Sequence, residues 1–182
     1  METAYFGPLR LTRAVLPYMR KRRYGVIVNI SSVAAMEAHD ALGAYAGAKA
    51  ALDGMTRVLS KEIAPFGIRT LTVSPGTFNT NIGNNTVVGK NPLPDDYKGS
   101  VTDQTMQVIA GRMFQAKGDP EKAMKAVYEV VVGEGIGKGH ETEPLLPLGQ
   151  ETVALAKTAQ DHIAHALEVF GDVCNSVTLD KK

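Results

Sequence analysis

Tyr45 and Lys49 stand four residues apart, and Ser31 and Ser32 precede the tyrosine by fourteen and thirteen residues. These side chains can hold and move protons. Residues four apart on a helix lie one above the other on the same face. The phenol and the ammonium would therefore face one space. A free tyrosine has a pKa of ~10, too high to trade protons at neutral pH. A fixed positive charge favours the phenolate. At ~6 Å and an effective dielectric of ~20 the interaction is worth ~2.8 kcal/mol, or about two pKa units. That nearly reaches the range of general acid–base catalysis, and hydrogen bonds or a second cation must supply the rest.

A lone Tyr-x-x-x-Lys is ordinary helix surface; its neighbours give it meaning. Gly25-Val-Ile-Val-Asn-Ile-Ser31-Ser32 comes before it and Thr72-Val-Ser-Pro75-Gly76 after it. Each reads as a short apolar strand ending in small polar residues. The pattern predicts strands over 26–30 and 68–74 and a helix over 43–64, with Ala44, Ala48, Leu52, Met55, Leu59 and Ile63 as its core stripe. Pro65-Phe-Gly67 stops that helix. A helix over 3–23 precedes the first strand, with Pro17 kinking it or marking its last turn and a solvated basic cluster, 20–23, closing it. The stretch 77–100 has little periodicity and reads as a lid or an irregular segment. Helices follow over 101–117, with Met106, Ile109 and Met113 on one side, and over 120–132, with Asp119 as N-cap. A short strand falls within 143–148, and a last helix covers 150–170 before a frayed tail.

A length of 182 residues suggests one domain with a sizeable core. It divides into a core at 1–76, a lid region at 77–118 and C-terminal helices at 119–182. A net charge of +1 gives no nucleic-acid signal. The one cysteine, Cys174, excludes a disulfide framework and suits a reducing compartment. No apolar run is long enough for a membrane span, and no signal-peptide core is present, so the expected location is cytoplasmic. Strand, helix, strand and further helices imply an α/β fold with a parallel sheet covered on both faces. Ligands in such sheets bind beyond the carboxyl ends of the strands, where Ser31, Ser32, Pro75 and Gly76 lie.

The Asn-x-Ser-Ser strand end, the Tyr-x-x-x-Lys helix and the Pro-Gly turn after the next strand occur in order and at a spacing that resembles the short-chain dehydrogenase/reductase family. The shared pattern runs from about Thr3 to Thr80, with a fainter match beyond. The resemblance implies the C-terminal part of a Rossmann-like, doubly wound sheet. It implies hydride transfer between NADP or NAD and a small-molecule carbonyl or alcohol. Tyr45 would be the general acid/base, and Lys49 would lower its pKa and hold the nicotinamide ribose. Ser32, at the family's thirteen-residue spacing, would orient the substrate carbonyl, leaving Ser31 as a loop-capping hydroxyl. Pro75, Gly76, Phe78 and Thr80 would join Tyr45 and Lys49 in binding cofactor, Phe78 through its main chain to the carboxamide. Family members pair through helices matching 3–23 and 43–64, which implies a homo-oligomer.

Two departures stand out. Ala4 occupies a position where the family carries an asparagine of a proton relay, so a relay water would lose its anchor. No Gly-rich turn after a first strand seats a pyrophosphate. The run Gly133–Gly139 has Lys138 where G-x-G-x-x-G needs glycine, and it reads as a flexible connection. The resemblance therefore implies the C-terminal part of a family member, without the strands that hold adenosine and diphosphate. A catalytically impaired remnant that pairs with a complete relative is the rival reading. A sugar-nucleotide epimerase of the extended branch shares Tyr-x-x-x-Lys but has a longer Ser-to-Tyr spacing. His162 and His165 sit three apart without a third ligand, so no metal site is expected. Asp53, one turn past Lys49, reads as a surface residue.

Overall fold

The computed structural model describes residues 1–37, 39–86, 89–111 and 116–179. Three parallel strands form its sheet among these residues: β1 (Gly25–Ile30), β2 (Ile68–Pro75) and β3 (Leu145–Leu148), in the order β1-β2-β3. Gly25 pairs with Ile68 at one end of the β1–β2 ladder and Ile30 with Val73 at the other. Parallel neighbours need a crossover connection, and a helix supplies each one. Helix α1 (Gly7–Arg22) precedes β1, and α2 (Gly43–Ile63) joins β1 to β2. Between β2 and β3 lie α3 (Ile82–Asn85), α4 (Val101–Ala110) and α5 (Pro120–Val132), and α6 (Thr152–Ser176) follows β3.

The sheet is covered on both faces. On one, Ile27 and Ile68 pack with Leu59 and Ile63 of α2, with Leu16 and Met19 of α1 against them. On the other, Leu71 and Val73 pack with Val130 of α5. The two-residue strand period explains the split. It also puts Asn29, Thr70 and Thr72 on the α2 side, where all three are buried. That face is polar beneath the middle of α2. Asn29 Nδ2 donates to Thr56 Oγ1 at 2.8 Å, and Thr56 Oγ1 donates to the Leu52 carbonyl at 2.7 Å. Buried polar groups need such partners.

Several elements differ from the sequence reading. A π-helical turn, Glu2–Phe6, precedes α1. Helix α1 ends at Arg22, within a residue of the expected end, and Pro17 lies inside it rather than in its last turn. The basic cluster is anchored as well as exposed: Arg23 donates to the Pro65 carbonyl at 2.5 Å, and Arg20 and Arg23 lie 5.7 and 5.3 Å from the centre of the Phe66 ring. Along α2, Ala46 is buried in place of Ala44, which is exposed. Helix α4 ends at Ala110, and the expected contribution of Met113 lies outside the described residues. The Gly133–Gly139 run is an ordered turn. Gly137 is buried against the Glu129 main chain, and Ile136 N–H donates to the Glu129 carboxylate at 3.2 Å. Helix α6 passes Gly171 and continues to Ser176. No helix among the described residues is long and apolar enough to cross a membrane.

Candidate active site

The site begins where β1 stops. Ser31 N–H donates to the Val73 carbonyl at 2.7 Å, extending the ladder by one residue. Ser32 then leaves the strand and caps a 3-10 turn, Val33–Ala35, its Oγ accepting from Ala34 N–H at 3.2 Å. An oxygen that accepts this bond keeps its own O–H free to donate. The capping role thus falls to Ser32, not to Ser31. Ser31 is 1% exposed, and its hydroxyl has no hydrogen-bond partner among the described residues.

Helix α2 starts beside this turn. Buried Ala46, Ala48 and Leu52 face the sheet, which leaves Tyr45 and Lys49 at the rim. Tyr45 is 37% exposed. The Lys49 ammonium lies 5.9 Å from the centre of the Tyr45 ring and donates to the Ile30 carbonyl at 2.7 Å. Burial pushes the Lys49 pKa below the usual lysine value, and the Asp53 carboxylate pulls it back up. Asp53 itself is half-buried, not a surface residue. Its Oδ1 makes no hydrogen bond among the described residues. Burial raises its pKa; the nearby Ser31 hydroxyl, then Arg57 and Lys49, act in the opposite direction. Ser31 faces this carboxylate closely enough to favour its charged form without meeting full hydrogen-bond geometry.

The third part is the turn after β2. Gly76 N–H donates to the Leu148 carbonyl at 2.7 Å. Thr77 N–H donates to Glu151 Oε1 at 2.5 Å, and the Thr77 hydroxyl donates to the same oxygen. A Cβ on Gly76 would sit 2.6 Å from Glu151 Oε1, so a side chain there would displace the carboxylate from Thr77. Phe78 forms a parallel bridge with Gly118, made by Asn79 N–H donating to the Gly118 carbonyl at 2.8 Å. The N–H and carbonyl of Phe78 itself make no hydrogen bond among the described residues. Such a pair matches a carboxamide, so the donor set here fits the nicotinamide end of a dinucleotide. Thr80 is exposed, its hydroxyl accepting from Ile82 N–H at 3.4 Å. Glu151 escaped the sequence reading. Burial alone would raise its pKa, but the bonds from Thr77 and the charge of His39 hold it below the usual range.

The other candidates stand apart. His162 Nδ1 lies 3.6 Å from a Glu37 carboxylate oxygen. No group of three or more His, Cys, Asp or Glu among the described residues could hold a metal. Cys174 is exposed on α6.

Comparison with known proteins bears on the same residues. The profile of the family described as short chain dehydrogenase matches residues 1–90. An uncharacterized oxidoreductase of Bacillus subtilis, YusZ, is 31% identical over 138 residues, covering 74% of this chain and 49% of that protein. Dehydrogenase/reductase SDR family member 7B of Danio rerio is 38% identical over 137 residues, covering 75% of this chain and 42% of that protein. The chain thus spans about half the length of these relatives, or less. The crystal structure of a short-chain dehydrogenase from Streptomyces avermitilis matches 97% of this chain and 60% of its own, with a TM-score of 0.77 and 32% identity. The parallel sheet, the placing of Ser32, Tyr45 and Lys49 at its carboxyl end, and these likenesses agree: the chain belongs to the short-chain dehydrogenase/reductase family.

Proposed function

We propose that this chain carries the catalytic part of an NAD(P)-dependent oxidoreductase, acting on a small carbonyl or alcohol. The observation that carries the reading is the Lys49 ammonium, held by the Ile30 carbonyl and set 5.9 Å from the Tyr45 ring. The B. subtilis relative bears the name oxidoreductase and the S. avermitilis structure that of a dehydrogenase, which is the same class.

When bound, a nicotinamide cofactor, NADP or NAD, would supply or take the hydride. Ser32 donates its hydroxyl proton in a hydrogen bond to the substrate oxygen and fixes the carbonyl. Tyr45 gives its phenolic proton to that oxygen in reduction and takes it back in oxidation. Lys49 steadies the negative charge on the phenol oxygen and bonds the nicotinamide ribose. Pro75 and Gly76 would shape the turn that offers the Phe78 main chain to the carboxamide, and Thr80 would help to hold the diphosphate. The segment 77–118 serves as the substrate lid. Tyr45→Phe tests the assignment: hydride transfer falls at least ~100-fold, within the range of general acid–base catalysis. Full activity in that variant contradicts it.

A pairing role accompanies this reading. Leu9, Leu16, Met55 and Val58 line a groove of about 450 Å³ between α1 and α2. Leu11, Tyr18 and Val58 are exposed by more than half on the same two helices. A second copy of this chain, or a complete relative, is the proposed occupant.

A further inference from the structure

Glu151 is the residue before α6, and it reaches across 74 positions of sequence to Thr77. One carboxylate oxygen takes both the main-chain N–H and the hydroxyl of Thr77. Beside it, the Leu148 carbonyl accepts from Gly76 N–H at 2.7 Å and from the Thr152 hydroxyl at 2.8 Å. Thr152 is 1% exposed, so this second hold is buried. Gly149, with φ of 109°, makes the sharp exit from β3 that brings Glu151 back over Gly76. The turn after β2 is thus gripped by the start of α6. Two residues further on, the Gly118 carbonyl takes the Asn79 N–H. Phe78 lies between the two holds, and its N–H and carbonyl are left unpaired among the described residues.

We propose that Glu151 is a positioning residue for the nicotinamide end of the cofactor site, fixing the Gly76–Thr77 peptide and through it the direction of the Phe78 N–H and carbonyl. The inference rests on the reading of Pro75–Thr80 as a cofactor-binding turn. A carboxylate suits the task because a charged acceptor makes stronger, shorter hydrogen bonds than a neutral one. Its single oxygen orients two donors of one residue, which fixes a peptide plane as well as a distance.

The test uses the purified chain and two probes: NADH, and the reduced dinucleotide in which acetyl replaces the carboxamide. Glu151→Ala weakens NADH roughly tenfold, the scale of one charge-assisted hydrogen bond. It weakens the acetyl analogue, which keeps the carbonyl acceptor but lacks the amide donor, by only about threefold, so the preference for the carboxamide narrows. Glu151→Gln, which keeps the acceptor oxygen, restores most of that preference. Amide exchange at Thr77 rises in Glu151→Ala and not in Glu151→Gln. Equal weakening of both probes reduces Glu151 to a structural clamp and overturns the proposal. An unchanged preference in Glu151→Ala, with NADH binding lost in Lys49→Ala, overturns it while the cofactor reading stands. Absence of binding of either probe to the wild-type chain removes the cofactor reading and the proposal with it.

Discussion

Lys49 Nζ donates to the carbonyl of Ile30, nineteen residues earlier, at 2.7 Å. The bond joins the second turn of α2 to the last residue of β1. It fixes the ammonium at the sheet's carboxyl end, beneath the ring of Tyr45. A lysine stem is flexible and its ordering costs entropy. A main-chain acceptor removes that freedom without neutralising the charge, so the cation remains available to the phenol.

Ser32→Ala separates two roles of one hydroxyl. It removes the cap on Ala34 N–H, which costs roughly 1 kcal/mol of stability. It also removes the donor to the substrate oxygen, and turnover falls at least ~10-fold more than cofactor affinity does. Denaturation and steady-state kinetics on one preparation give both numbers. Loss of stability with unchanged turnover would assign Ser32 to structure alone.

Asp53 sets a pH dependence of stability. Its pKa is raised in the folded chain from 3.8, chiefly by burial. The folded state therefore keeps a proton that the unfolded chain has already released, and stability falls as pH rises through that window. The cost is absent below 3.8 and complete above the raised value. Asp53→Asn removes the titration. Its thermal midpoint should exceed that of the wild type at neutral pH, with the gap closing as the solution is acidified toward 3.8. A gap independent of pH would disprove the account.

Thr56 joins the polar layer under α2, accepting from Asn29 while donating to Leu52. Thr56→Val keeps the volume but leaves the buried Asn29 amide without its acceptor. The expected cost is about 1–3 kcal/mol, the penalty of an unsatisfied buried group. Chemical denaturation checks it, and a neutral effect would mean that Asn29 finds another acceptor.

How much of this was legible in the sequence follows from the range of each interaction. Tyr45 and Lys49 share a face because helix geometry acts over four residues, and sequence records that spacing directly. Ser31 and Ser32 were harder to separate. A one-residue step at a strand's end reverses the face, which buries Ser31 beneath α2 and leaves Ser32 to cap the next turn. The burial of Ala46 rather than Ala44 is an error of helix phase, which the tertiary packing of α2 decides. Gly171 suggested an end to α6, yet one glycine costs only about 1 kcal/mol in a helix of 25 residues. Glu151 left no signal, because its partner lies 74 residues away and only the parallel pairing of β2 with β3 brings them together.

The proposed pairing through the apolar groove between α1 and α2 is open to a direct test. Val58, 57% exposed and lining that groove, is the position to change. Val58→Asp should shift the chain from dimer to monomer in sedimentation analysis while leaving the circular dichroism intact. A wild-type chain that sediments as a monomer at high concentration would refute self-pairing through this face.

The central claim is that Tyr45, Lys49 and the turn after Pro75 form a cofactor site in this chain. Direct titration of NADH and NADPH into the purified 182-residue chain, beside Lys49→Ala, tests it. The account predicts binding in the micromolar range that the Lys49→Ala variant loses. Absence of binding up to millimolar cofactor, or equal binding by the variant, would contradict it.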